Sequence, residues 1–211
     1  MSYENIKVNT QSSIRIEGTK VIYFDAFQIK EEPHDADVIC VTHAHYDHFD
    51  TESIEKIRKQ NTVFIAPAGM ADEIGKIIKK EQLFLVTPGE VLEIDDLKLE
   101  IVPAYNKLKP FHPKHNKWIG YILEMGSTRY YIAGDTDAVK DLHDIKCDVA
   151  LVPIGGTYTM NAKEAAELIN KIKPTAAIPT HYGGIVGKPE DEELFRKLVN
   201  PEIRVVKKII L

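Results

Sequence analysis

Three histidines and one aspartate fall within six residues of one another, in the run H-A-H-Y-D-H at residues 43–48. The run directly follows the apolar stretch 38–41, which is typical of a buried strand. Imidazole nitrogens and carboxylate oxygens are the donors that zinc, manganese and iron take, and a loop lets neighbouring side chains converge. We therefore predict a metal centre here, with enough donors for two ions. The candidate ligands are His43, His45, Asp47 and His48.

Two further donors each follow a predicted strand. Asp135 stands in a Gly-Asp-Thr segment after the strand 129–133, and His181 follows the strand 176–179. Each motif alone is weak, because Gly-Asp is often a plain turn and a histidine at a strand end is often structural. Strand ends can converge on one edge of a sandwich, so we expect both side chains to join the donors of residues 43–48.

The composition is that of an ordinary globular protein, with 211 residues, 44% apolar residues, 28% charged residues and a formal net charge of −5. No linker or low-complexity segment divides the chain, so we expect a single domain over residues 1–211. The negative charge argues against nucleic acid as a partner. Without a signal sequence or a membrane-length apolar run, we expect no membrane partner and a cytoplasmic location. A homo-oligomer is left open.

Short strands and helices must position these donors. Helical spacing of apolar residues occurs at 53–60, 71–80, 162–172 and 190–198. Strand patterns occur at 13–17, 20–25, 37–42, 62–66, 83–87, 91–94, 97–102, 118–125, 129–133, 149–153, 176–179 and 203–209. The strands favour two sheets and the helices need sheet faces to cover. We predict an α/β (α+β) fold, a four-layer αββα sandwich, with a doubly wound α/β sheet as the alternative.

The motifs resemble those of the metallo-β-lactamase superfamily. The matching pieces are T-H-A-H-Y-D-H at 42–48, A-G-D-T at 133–136 and T-H-Y at 180–182, in the family's order and across nearly the whole chain. The resemblance implies an αββα fold with a dinuclear centre between the sheets. It further implies that His43 and His45 bind the first metal and that Asp47 and His48 bind the second. By the same resemblance Asp135 would bridge the two metals, and His181 would complete the second site.

One ligand departs from the family pattern. Superfamily members generally place another histidine on the first metal, and the Gly-His-Thr segment that often carries it is absent. The phospholipase-D-like and lactonase-like branches carry it after a Val-Pro-Ala-type strand, where this chain has Asn106. We predict His112 as the replacement, since Pro113 stiffens the backbone beside it. His115 is the second choice, and Asn106 or water the third.

The donor set and the resemblance predict a hydrolase. Two divalent ions roughly 3.5–4 Å apart lower the pKa of a shared water from about 15.7 towards 7, and they polarise a carbonyl or phosphoryl oxygen. Asp47 is then the predicted catalytic residue, because it can orient the hydroxide or accept its proton. Two Zn²⁺ ions are the expected cofactors, with Mn²⁺ or Fe²⁺ as alternatives. The oxygen-reducing di-iron branch usually has glutamate where this chain has His45, which argues for hydrolysis.

The expected substrate is a small anionic ester, lactone or phosphodiester. No acidic residue occurs between positions 101 and 123, yet four lysines do, and Lys114 is the substrate-binding candidate among them. A solvated lysine-rich loop is the alternative. Tyr158 and Tyr182 are two further substrate-binding candidates. The segment around Tyr158 is equally interpreted as a helix entry capped by Asn161 or Thr159.

Two other functions remain open at this point. A small nuclease or phosphodiesterase is one, although the length leaves no room for a large nucleic-acid domain and the charge is unsuited to a phosphate backbone. A family scaffold that binds metal without turnover is the other. Retention of the other donors speaks against the scaffold, because a structural zinc normally closes its shell with four ligands. The metal stoichiometry discriminates between the scaffold and an enzyme.

Overall fold

Two β-sheets form the centre of the protein, which a computed structural model describes over residues 3–209. In the first sheet, six strands lie side by side in chain order. They are β1 (Ile6–Val8), β2 (Ile14–Glu17), β3 (Val21–Phe24), β4 (Ala36–Cys40), β5 (Arg58–Pro67) and β6 (Leu83–Val86). The first three are antiparallel, and β3 to β6 are parallel.

The second sheet has seven strands, which lie in reverse chain order. They are β7 (Val91–Ile94), β8 (Leu97–Pro103), β9 (Ile119–Met125), β10 (Thr128–Ile132), β11 (Val149–Pro153), β12 (Ala176–Thr180) and β13 (Arg204–Val205). From β7 to β10 the neighbours are antiparallel, and from β10 to β13 they are parallel. Each sheet thus has a parallel half whose strands end at one common edge.

Four helices cover the outer faces of the sheets. They are α1 (Thr51–Ile57), α2 (Ala71–Ile74), α3 (Ala162–Ile172) and α4 (Asp191–Leu198). The apolar residues of α1 and α2 pack against Ile39 and Phe64 of the first sheet, while α3 and α4 pack on the second sheet. Layers in the order helix, sheet, sheet, helix confirm the predicted αββα sandwich and exclude a single doubly wound sheet.

The two sheets pack through alternating buried side chains on their inner faces. On the first sheet these include Ile16 and Phe24, and on the second Leu99 and Tyr121. The Tyr121 hydroxyl donates a 2.6 Å hydrogen bond to the carbonyl oxygen of Val41, which lies just beyond β4. This bond fixes the second sheet against the loop that begins the candidate metal centre.

Helix α2 is much shorter than the predicted segment 71–80, because Gly75 follows it. A glycine inside a helix costs about 1 kcal/mol relative to alanine. A Cβ atom at this position would also lie 2.7 Å from the carbonyl oxygen of Ala71. The chain continues in tight turns instead, which still bury Ile78.

Other boundaries also differ from the predicted ones. Helix α1 ends at Ile57, and β5 begins at once and is longer than 62–66. Strand β1 has no predicted counterpart, and β13 covers only two residues of the segment 203–209. Between residues 3 and 209 no helix has the length and apolar character needed to traverse a bilayer.

Candidate metal centre

The loop after β4 turns back on itself and brings its donors together. The backbone N–H groups of His48 and Phe49 both donate to the carbonyl oxygen of His45, at 2.9 and 2.8 Å. His43 and His48 are buried, Asp47 is 7% exposed and His45 is partly exposed. Nε2 of His43 lies 3.0 Å from Nδ1 of His45, so these two ring nitrogens face the same point.

Three more loops bring a donor to this one. His112 comes from the connection between β8 and β9, Asp135 follows β10, and His181 follows β12. The Asp135 carboxylate is central: Oδ2 lies 3.3 Å from Nε2 of His112 and 3.4 Å from Nε2 of His181. Its other oxygen, Oδ1, lies 3.4 Å from Nε2 of His48. All seven residues predicted as ligands therefore lie in one cluster.

The cluster divides into two groups of donors. The ligand atoms of His43, His45 and His112 lie within 4.8 Å of one another, and so do those of Asp47, His48 and His181. A third set with the same spacing, His43, His48 and Asp135, joins the two groups. The arrangement offers two adjacent positions for a cation, with one carboxylate reaching both.

Several buried polar atoms at the centre lack a hydrogen-bond partner. They are Nε2 of His48, of His112 and of His181, and Oδ1 of Asp135. Leaving a buried polar group unsatisfied costs about 1–3 kcal/mol. Nitrogen and oxygen lone pairs that converge on one space are satisfied by a divalent cation, so the donor set fits a metal of the zinc, manganese or iron type.

Hydrogen bonds behind the imidazoles fix which nitrogen faces the centre. Nδ1 of His48 lies 2.7 Å from Oδ2 of the buried Asp25. The Thr42 hydroxyl donates to the same carboxylate at 2.7 Å, so it accepts from Nδ1 of His43 at 2.9 Å. This places a proton on Nδ1 of each ring and turns both Nε2 atoms towards the centre, as is usual for metal-binding histidines.

The charges of the centre are strongly coupled. Burial raises the pKa of the Asp135 carboxyl group, but His181 and His48 outweigh it and hold that pKa well below its usual range. Burial lowers the pKa of His48, yet the carboxylates of Asp135 and Asp25 outweigh burial and raise it well above the usual value. Burial keeps the pKa of His43 well below its usual value, so this ring stays neutral.

The backbone on either side of the donors requires unusual conformations. Gly134, immediately before Asp135, has φ of +62°, and a Cβ there would lie 2.8 Å from the carbonyl oxygen of Ile119. His181 and Asp25 also have positive φ, at 54° and 47°. Such conformations cost free energy in non-glycine residues and persist where the surroundings hold them, often at functional sites.

The sequence profile of the beta-lactamase superfamily domain matches residues 5–182. The chain belongs to the metallo-β-lactamase superfamily. A Pyrococcus abyssi relative named a UPF0173 metal-dependent hydrolase is 33% identical over 215 residues, 95% of this chain and 94% of its own.

Solved structures of the metallo-β-lactamase superfamily are similar over almost the whole chain. A Parabacteroides distasonis protein is 27% identical with a TM-score of 0.81, covering 97% of this chain and 93% of that one. A metallo hydrolase of Ignicoccus hospitalis is 22% identical with a TM-score of 0.75, covering 96% and 94%, which shows the fold.

The structure shows which residue stands where other superfamily members have a further histidine at the first metal. His112 lies with His43 and His45, whereas His115 is exposed and outside the cluster. Asn106 lies behind His112, and its Oδ1 is 3.0 Å from Nδ1 of that ring. Of the three alternatives for the first site, the geometry favours His112, with Asn106 as the group that orients it.

Two residues at this centre were not predicted from the sequence. Asp25 is fully buried behind His48, and its signal was a carboxylate directly after the apolar strand β3. Trp118 packs on the donors, with its ring centroid 4.9 Å from that of His43 and 5.0 Å from that of His45. It is the only tryptophan in the chain, but nothing in its sequence context pointed to the metal centre.

The three candidate substrate residues lie in different places, and none joins the donor cluster. Tyr158 is partly exposed, and its ring contacts that of Phe111, the neighbour of His112, with centroids 4.6 Å apart. Lys114 forms an ion pair with Asp141 at 3.1 Å. The ring of Tyr182 is buried in the main core, and burial raises its pKa to about 12.

Proposed function

We propose that this protein is a metal-dependent hydrolase that uses two divalent cations to cleave a small anionic ester, lactone or phosphodiester. His43, His45 and His112 would hold the first cation, and the second would be held by Asp47, His48 and His181. The observation that carries the proposal is the position of Asp135, whose carboxylate oxygens lie within 3.4 Å of imidazoles from both groups. A carboxylate so placed can serve both ions.

When bound, such a pair of ions supplies an activated water at neutral pH and polarises the carbonyl or phosphoryl oxygen of the substrate. The protein's own contribution begins with Asp47. Burial raises the pKa of its carboxyl group, but His181 and His48 outweigh this effect and lower it, so Asp47 is ionised at neutral pH. Asp47 can then orient the attacking water and accept its proton.

The remaining residues hold this arrangement and leave one side open. Asp25 and Asn106 orient His48 and His112 from behind, so that the lone pairs stay aimed at the centre. His45 and Asp47 are the donors that reach solvent. This partial exposure supports a catalytic centre over a closed structural one, since catalytic sites keep a position open for water and substrate.

Zinc is the metal we propose, because five of the seven donors are imidazoles and two are carboxylates, with Mn²⁺ and Fe²⁺ as alternatives. The experiment that tests the function measures metal content and hydrolysis together. The metal-free protein is reloaded with Zn²⁺, Mn²⁺ or Fe²⁺ and assayed against bis(4-nitrophenyl) phosphate, 4-nitrophenyl esters and simple lactones. We expect two ions per chain and hydrolysis that a chelator abolishes.

The matched variants are His45→Ala and His115→Ala. His45 lies in the donor cluster, so its loss should remove metal and activity together. His115 is an exposed histidine outside the cluster, and its loss should change neither. A single ion without turnover would favour a metal-binding scaffold, and activity that survives in the metal-free protein would exclude the proposed chemistry.

A further inference from the structure

A cleft of about 340 Å³ lies beside the metal centre. Its lining is mostly apolar and includes Pro88, Pro103 and the two aromatic residues Tyr105 and Trp118. Two lysines, Lys114 and Lys117, complete the lining together with Asp141 and neighbouring small residues. Flat apolar walls of this kind suit a flat organic group.

Trp118 connects this cleft to the metal centre. Its indole ring lines the cleft and also contacts the imidazoles of His43, His45 and His112, with centroid distances of 4.9, 5.0 and 5.5 Å. The same loop, between β8 and β9, carries both His112 and the two lysines. Trp118 therefore borders both the cleft and the metal centre.

The cleft is positively charged although the protein as a whole is negative. The amine of Lys114 is 3.1 Å from Asp141 and 4.5 Å from the centre of the Tyr105 ring, so its charge is already balanced. The neighbouring Glu90 accepts hydrogen bonds from the N–H and hydroxyl of Thr87.

Lys117 is in a different situation. Over residues 3–209, its amine forms neither an ion pair nor a hydrogen bond. The indole N–H of Trp118 likewise has no hydrogen-bond acceptor within that part of the chain. A cation and a donor without partners on an apolar cleft are complementary to an anionic group joined to a flat body.

We propose that this cleft binds the part of the substrate that is not cleaved: an aromatic or similarly flat body that carries a carboxylate or phosphate. The body packs on Tyr105 and Trp118, and the anion lies at Lys117. That the bound molecule is a substrate rests on the proposed hydrolase function. That the cleft binds a flat anion does not depend on this function, and it can be measured separately.

The single tryptophan makes that measurement direct. Because Trp118 is the only one in the chain, intrinsic fluorescence reports on this cleft. The metal-loaded protein is titrated with phenylphosphonate, which has a flat body and an anion but no ester bond to cleave. We expect a saturable change in Trp118 emission. Methylphosphonate, which lacks the ring, should bind at least roughly tenfold more weakly because it loses the aromatic contact.

Two lysine substitutions separate the cleft from general charge effects. Lys117→Glu should raise the dissociation constant of phenylphosphonate by roughly tenfold or more, the loss expected for one charge-assisted contact. Lys163→Glu changes the net charge equally on the exposed face of α3 and should leave binding unchanged. If the Lys117→Glu variant does not fold, Lys117→Gln replaces it in the same binding measurement. Equal affinity in the Lys117 and Lys163 variants would overturn the proposal and place the phosphonate on the metals.

Hydrolysis assays then distinguish this inference from the proposed function. For a substrate with a second anionic group, Lys117→Glu should raise KM and leave kcat near the wild-type value. For an uncharged aryl ester, which has no anion to place at Lys117, the rise in KM should be much smaller. Hydrolysis that does not depend on Lys117 would support the hydrolase function and contradict the proposed role of the cleft. Binding of phenylphosphonate without any hydrolysis would support the cleft and contradict the hydrolase function.

Discussion

Asn106 places a proton on Nδ1 of the neighbouring imidazole of His112, and one backbone hydrogen bond shows how its amide is oriented. The peptide N–H of His112 can only donate, and it donates to Oδ1 of Asn106 at 3.1 Å, which identifies that atom as the amide oxygen. The same oxygen lies 3.0 Å from Nδ1 of His112, so Nδ1 carries the proton. Nε2 of the same ring faces Asp135, with 3.3 Å between Nε2 and Oδ2. An asparagine in a ligand's usual position thus supports the ligand that replaces it.

Replacing Asn106 should therefore weaken metal binding without removing any donor. Asn106→Leu has similar volume but cannot accept from Nδ1, and loss of such a support typically costs about 10–100-fold in metal affinity. Zinc affinity is measured by competition with a chelating dye. Asn116→Leu is the control, because Asn116 lies in the same loop and its side chain has no hydrogen bond to His112 among the described residues. Equal zinc affinities in the two variants would contradict the orienting role.

Metal uptake should also release a proton from His48. In the metal-free centre, Asp135 and Asp25 overcome the effect of burial and hold the pKa of this imidazole well above its usual value, so it is protonated at neutral pH. A cation needs the Nε2 lone pair and must displace that proton. Below the raised pKa, affinity should fall about tenfold for each pH unit, since one proton competes with the metal.

Titration calorimetry in two buffers of different ionisation enthalpy measures this release. At pH 7 the two buffers should give different apparent binding enthalpies. That difference, divided by the difference between the ionisation enthalpies of the buffers, should correspond to about one released proton per chain. Asp25→Asn lowers the pKa of His48 by removing one of its two carboxylate neighbours, and it should reduce the proton release. Identical enthalpies in both buffers for the wild-type protein would show that His48 is already neutral.

At the scale of secondary structure, local sequence patterns predicted some elements well and others poorly. Helix α3 begins after Asn161, which forms the expected cap, and ends at Ile172 as its apolar spacing indicates. The helix predicted over 71–80 was too long, because α2 ends before Gly75, although the apolar residue Ile78 of the same pattern is still buried. Strand β1 was missed because it is only three residues long.

The donors at strand ends were predictable for a similar local reason, since a polar residue directly after an apolar strand marks the edge of a sheet. The sequence favoured His112 over His115 only through Pro113. The structural reason was out of its reach, because the path of this loop depends on contacts with Asn106 and Asp137. The role of Asp25 depended on which strand end faces His48, and that is fixed only when β3 pairs with β4.

The turn from β10 into the metal centre tolerates only glycine. At Gly134 an alanine would combine an unfavourable positive φ with a Cβ contact of 2.8 Å to the Ile119 carbonyl oxygen. Gly126 has the same φ of +62°, but its Cβ would meet nothing within 4 Å, so Gly126→Ala isolates the backbone cost. That cost is about 1–2 kcal/mol.

We expect Gly134→Ala to destabilise the protein more than Gly126→Ala, as measured by urea unfolding of the metal-free proteins. It should also lower zinc affinity, because the clash displaces the adjacent Asp135, whereas Gly126→Ala should leave affinity unchanged. If both variants bind zinc like the wild type, the close approach at Gly134 is not what positions Asp135.

At the scale of the whole molecule, the metal centre joins two sheets that come from different halves of the chain. His43, His45, Asp47 and His48 follow a strand of the first sheet, while His112, Asp135 and His181 belong to connections of the second. Without a cation, the facing imidazoles and carboxylates hold buried atoms that have no partner. Bound ions would link the sheets across this edge, so metal should contribute to the stability of the entire fold.

The size of that contribution follows from mass action. A ligand at 1,000 times its dissociation constant stabilises the folded state by about 4 kcal/mol if it does not bind the unfolded chain. We expect the midpoint of thermal unfolding to rise as zinc is added to metal-free protein and to fall again with a chelator. His45→Ala should show a much smaller rise, and His115→Ala should match the wild type, because only the former lacks a donor that faces the centre. An unfolding midpoint that is independent of zinc in the wild-type protein would mean that no cation links the two sheets.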